Sequence, residues 1–166
     1  YDNFSALLKG AEKADTHFKT AKLSENIPVL MAFSSVWYSN FFSSSQEAII
    51  PYSYYLEDFV PYLEQGFMES NGKSVDRNGE LIDYKTISFI GFCKALHGNS
   101  DHQDVLIANM FAQANALAFG TKTKKITDPY KEFEGNSPST TFLINKLTPE
   151  NLGTLLAIYE HKIFVQ

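Results

Sequence analysis

Leu63-Glu64-Gln65-Gly66-Phe67-Met68-Glu69-Ser70-Asn71-Gly72-Lys73 brings an amphipathic run to its end on an acid and a turn. Upstream, Leu56, Phe59, Val60, Leu63 and Phe67 fall at helical spacing, which predicts a helix over 55–68. Pro61 lies inside that run, so the helix is kinked there or starts late. Ser70-Asn71-Gly72 then has the chemistry of a helix stop, and Glu69 reads plainly as a helix-end acid. A carboxylate at that end meets the partial negative charge of unpaired carbonyls, which is unfavourable. An unfavourable placement with no evident structural gain points towards a functional group. Gln65 stands one helical turn before Glu69 and shares its face.

The flanking sequence alternates strand and helix signals. Residues 4–19 read as a helix with Phe4, Leu7, Leu8, Ala11 and Phe18 near one face. Ser24-Glu25-Asn26 offers a cap for a helix from Ile27-Pro28 to Phe42, which is apolar on most sides and is expected to be buried. Residues 48–52, 88–95 and 141–144 are strand candidates. Asn78-Gly79 predicts a small hairpin around Asp76. Ser100-Asp101-His102-Gln103 is a capping box opening a helix that ends at Gly120. Residues 121–139 form a polar loop. Thr148-Pro149-Glu150 starts a last helix whose buried stripe is Leu152, Leu155, Leu156, Tyr159 and Ile163. The class is α/β, in one domain without repeats.

Composition narrows the functions. With 166 residues and a net charge of −5, the chain lacks the basic surface that nucleic-acid binding needs. Its Lys122, Lys124 and Lys125 cluster reads as a solvated loop. Cys93 is the single cysteine, so no internal disulfide forms and a reduced, cytoplasmic setting is expected, with Cys93 as buried filler. No stretch approaches a membrane span. Aromatic residues make up 14%, enough either for an aromatic-rich core or for rings that cover another domain or subunit. Both ends of the chain are expected to be cut from something longer, since neither carries a terminal signal.

No P-loop, dinucleotide fingerprint or nucleophile elbow is present. Of His17, His97, His102 and His161, three read as solvent-facing. His97 and His102 with Asp101 and Asp104 bracket a helix cap, and capping rather than metal binding is expected there.

Four ordered stretches resemble the glucose-6-phosphate isomerase family: Met68-Glu69-Ser70-Asn71-Gly72-Lys73, Leu106 to Gln113, Phe133-Glu134-Gly135-Asn136-Ser137-Pro138-Ser139-Thr140, and Leu147-Thr148-Pro149 through Tyr159-Glu160-His161-Lys162 to Gln166. Ala14-Asp15-Thr16-His17-Phe18, Asn26-Ile27-Pro28-Val29 and Trp37-Tyr38 fit as well. The resemblance runs along nearly all of the chain. It implies part of a sugar isomerase (SIS)-type domain, three-layered, with a mainly parallel central sheet flanked by helices. It implies reversible conversion of glucose 6-phosphate and fructose 6-phosphate through a cis-enediol, in glycolysis and gluconeogenesis, without metal or organic cofactor. Glu69 matches the catalytic base and Gln65 a substrate-contacting glutamine. A homodimer is implied, and Glu160, His161 and Lys162 are expected to serve structure and the dimer contact.

The sequence departs from the family in several places. The ring-opening histidine belongs to a Gly-Thr-Asn-Gly-Gln-His-type segment, but here Tyr84-Lys85-Thr86 runs directly into Ile87-Ser88-Phe89. Residues 121–131 look shortened. The catalytic lysine would follow Gln166, and the phosphate-binding Ser/Thr loop would precede Tyr1. Phe67 stands where Asp is usual and Ser137 where Arg is usual. Two readings fit: a longer isomerase of which residues 1–166 are a subset with omissions near 86/87 and 121–131, or a non-catalytic isomerase-like fragment that binds a sugar phosphate or a partner chain.

Overall fold

The computed structural model describes residues 1–44, 46–87, 89–92, 103–120 and 134–166. Among these residues five α-helices and two strands succeed one another: α1 Asp2–Thr20, α2 Ile27–Phe41, β1 Gln46–Ile49, α3 Phe59–Asn71, β2 Phe89–Phe92, α4 Gln103–Phe119 and α5 Pro149–Val165. Strands β1 and β2 pair in parallel, Gln46 opposite Phe89 through Ile49 opposite Phe92, with α3 as the crossover between them. A parallel pair needs such a long connection, so β1–α3–β2 is the βαβ unit of an α/β chain.

Helix α5 is the hub on which α1, α2 and α3 pack. Its start is capped as the sequence predicts: the Thr148 side chain accepts from Asn151 N, and Pro149 takes the first helical position. Helix α2 begins on Asn26, whose carboxamide accepts from Val29 N and donates to Phe18 O at 2.8 Å. Both faces of that amide are used, and Asn26 is buried. The core joins Ala14, Met31, Ile49, Phe59, Val60, Leu63, Phe67, Leu155, Ala157, Ile158 and Tyr159.

Helices α1 and α5 touch backbone to backbone. A Cβ on Gly10 would sit 1.8 Å from the Glu150 carbonyl oxygen, and one on Gly153 would sit 1.9 Å from that of Leu7. Thr154 Oγ1 donates to Gly10 O across the same crossing, at 2.9 Å.

Several expectations need correction. Residues 141–144 form no strand among the described residues, and of the four only Phe142 packs inward, against Tyr159. Helix α2 is buried along one stripe only, at Pro28, Val29, Met31, Ala32 and Ser39, while Phe33, Trp37 and Phe41 lie more than half exposed. The first strand starts two residues earlier than its apolar run, because pairing extends over Gln46 and Glu47. Of the two readings of Pro61 the late start holds and the kink does not: α3 begins at Phe59, and Pro61 stands in its first turn, where its missing N–H has no helical partner to lose.

The hairpin forms as predicted. Val75 bridges Leu81, Gly79 takes φ +83, and Asp76 Oδ1 accepts from Asn78 N and Glu80 N. Those backbone donors hold the Asp76 carboxyl below its ordinary pKa. Gly120 closes α4 with φ +70. Cys93, His97, the capping box at 100–102, the Lys122–Lys125 cluster and the shortened loop at 121–131 lie outside the described residues.

Candidate active site

Helix α3 sorts its side chains by face. Phe59, Val60, Leu63 and Phe67 are buried, whereas Gln65 and Glu69 face water. The two predicted site residues come together: Gln65 Nε2 donates to Glu69 Oε1 at 3.3 Å. Helical spacing of four residues produces this pairing. The plain helix-end reading holds too. Asn71 is the last helical residue, Gly72 follows, and Gly72 N donates to Met68 O at 3.2 Å. Gly72 is not left-handed here; glycine is needed because a Cβ would meet Met68 O at 2.6 Å. Lys73 Nζ donates to the Glu69 carbonyl at 2.7 Å and sets a cation at the negative helix end, which offsets the unfavourable placement of the acid.

The end of α3 is fastened on two sides. Asn71 Nδ2 donates to Ile163 O of α5 at 3.2 Å. Thr86 Oγ1 lies 3.2 Å from both Lys73 N and Lys73 O, and Thr86 O accepts from Gln166 Nε2 at 3.4 Å. On the outer side of α3 the Tyr62 hydroxyl donates to Glu160 of α5. Burial first, then that carboxylate, push Tyr62 up to about 12.

The described histidines are engaged away from Glu69. His161 Nε2 lies 2.7 Å from Asp15 Oδ1 and its ring stacks on Phe18 at 4.2 Å. His17 is half-buried rather than solvent-facing, because its Nε2 accepts from Ile27 N at 3.1 Å. His97 and His102 lie outside the described residues.

Glu47 was not singled out in the sequence, and Lys162 was expected to serve structure and the dimer contact. Lys162 is 1% exposed, and its Nζ donates to Glu47 Oε1. Burial pulls Lys162 below the ordinary lysine range, and Glu47 opposes the shift. Burial, then the Glu47 charge, drive the neighbouring Tyr159 hydroxyl upward. A signal existed: Lys162 falls on the stripe of Leu155 and Tyr159, where a lysine must find a buried acid.

The sequence model described as Phosphoglucose isomerase matches this chain in two overlapping parts, residues 1–92 and 86–166. A glucose-6-phosphate isomerase of Christiangramia forsetii is 45% identical over 210 aligned positions, covering 100% of this chain and 39% of that protein. One from Syntrophus aciditrophicus is 41% identical, covering 99% of this chain and 37% of its own length. The crystal structure of a glucose-6-phosphate isomerase from Chlamydia trachomatis superposes with a TM-score of 0.84 at 35% identity, over 100% of this chain and 38% of that one. The chain thus spans about two-fifths of the relatives it matches. With the family's sequence pattern matching along the whole of this chain and the chain's fold superposing on part of an experimental member, the chain belongs to the phosphoglucose isomerase family.

Proposed function

We propose that this chain carries the proton-transfer base of an enzyme that interconverts glucose 6-phosphate and fructose 6-phosphate. The observation that carries the reading is Glu69: a water-facing carboxylate in Met68-Glu69-Ser70-Asn71-Gly72-Lys73, paired with Gln65 and set on a helix end fastened to α5. In the open-chain aldose the carboxylate takes the proton from C2, the C–H electrons form the C1–C2 double bond, and the C1 oxygen takes up a proton to give a cis-enediol. The C2 hydroxyl then gives up its proton and becomes the carbonyl as the base returns its proton to C1, which yields the ketose. One base serves both half-steps because both carbons present the same face. Gln65 holds a substrate hydroxyl beside the base.

The ring-opening group and the donors that stabilise the enediolate oxygens belong to sequence outside these residues. Support comes from the relatives' length and from alignments that run over 201 to 210 positions against 166 residues here. The split of the family match near residues 86–92 supports an omission there. On the same reading the full fold is an SIS-type domain, three-layered with a mainly parallel sheet, and β1–β2 belongs to that sheet. The enzyme works as a cytoplasmic homodimer. Among the described residues no helix is long and apolar enough to cross a membrane.

The test is Glu69→Gln in the full-length enzyme. Loss of a positioned general base lowers kcat by about 10²–10⁴. The circular dichroism spectrum stays that of the parent, because Glu69 is exposed. Near-parental turnover removes Glu69 from the role. If the unmodified full-length protein binds 6-phosphogluconate in calorimetry but turns nothing over, it is a binding module instead.

A further inference from the structure

Lys162 carries a charge into the core. Its Nζ lies between Glu47 Oε1 of β1, at 2.5 Å, and the ring of Phe67 of α3, 5.0 Å from the centroid. The other oxygen of Glu47 lies 2.7 Å from the Ser35 hydroxyl of α2. Four elements, α2, β1, α3 and α5, therefore converge on one ion pair. The next residue, Ile163, meets α3 twice. Its carbonyl accepts from Asn71, and its Cδ1 lies 3.2 Å from where a Cβ on Gly66 would stand. Phe67 and Asn71 are two residues before and two after Glu69, so residues 162–163 grip α3 at the turn that bears the carboxylate.

In this pair the Lys162 side chain is 1% exposed and that of Glu47 29%; such a largely buried ion pair is a poor source of stability, because desolvation offsets the attraction and apolar replacement is often neutral. What it adds is direction. Apolar side chains let a helix slide against its neighbour, whereas a hydrogen-bonded charge accepts one position. We propose that Lys162 is a positioning residue for the isomerisation: held by Glu47, it sets the place of α3 and so of Glu69 against the two carbons that exchange the proton. This rests on Glu69 being the base. A displacement of about 1 Å in such a group lowers rate by about 10²-fold.

In the full-length enzyme, three variants decide the matter: Glu47→Gln/Lys162→Met, which removes both charges at similar volume, Lys162→Arg and Glu69→Gln. The double variant is expected to melt with the parent and to bind 6-phosphogluconate as tightly. Its kcat falls about tenfold to hundredfold with KM little changed. With substrate tritiated at C2, a larger share of label escapes to water, because a displaced base returns the proton to C1 more slowly. Lys162→Arg restores part of kcat. Parental kcat and label transfer in the double variant overturn the proposal, as does a loss of kcat that tracks a loss of folded protein. An active Glu69→Gln overturns the base assignment itself; a dead Glu69→Gln beside a normal double variant overturns only the role of Lys162.

Discussion

Phe67 shows how far a single side chain was readable. Its place on the apolar stripe of α3 is plain in the sequence, and it is 2% exposed. It stands where the family usually has Asp, two residues before Glu69. The structure turns it away from Glu69, into the core beneath Lys162, because positions 67 and 69 point to different sides of a helix. Truncation there should be severe: Phe67→Ala removes a buried ring and is expected to cost about 3–5 kcal/mol, read as a lowered Tm or denaturant midpoint in the full-length enzyme. The pairing of Gln65 with Glu69 was legible because four-residue spacing needs only the helix. Glu47 was not, because its partner lies 115 positions away and nothing local announces that contact.

At the level of elements, helices were easier to read than strands. Caps at Asn26 and Thr148 and the stop at Gly120 act within a turn, so the sequence displays them whole. A strand needs a neighbour. Residues 46–49 and 89–92 find each other, whereas 141–144 pair with no strand among the described residues. The α1–α5 crossing was also illegible, since nothing marks Gly10 and Gly153 as facing each other's helices. Their role fixes a prediction. Gly153→Ala drives a methyl into the Leu7 carbonyl, which is backbone and cannot swing aside. The helices must part, at a cost of about 3 kcal/mol or more. Tm of the variant measures it, and a parental Tm would mean the crossing is looser than described.

Across the whole molecule, the unexpected feature is how much apolar surface faces water. Phe33, Val36, Trp37 and Phe41 of α2, with Leu30 and Val165, line an open groove of about 590 Å³. The sequence predicted a buried helix there because it shows hydrophobicity, not which neighbours are present to cover it. Trp37 is the single tryptophan, so its fluorescence reports on this face alone. In the 166-residue chain its emission should be red-shifted and quenched by iodide, as for an indole 53% exposed. Blue-shifted, unquenched emission would mean that the groove closes.

The α1–α5 crossing leaves a trace beyond stability. Two positions there accept almost nothing but glycine, yet the proposed chemistry uses neither. A map of substitution tolerance across the full-length protein would mark Gly10 and Gly153 as intensely as the proposed base Glu69. Only whether the inactive variants still fold would tell clearance from chemistry, so intolerance at a position in such a map is no measure of its nearness to the reaction.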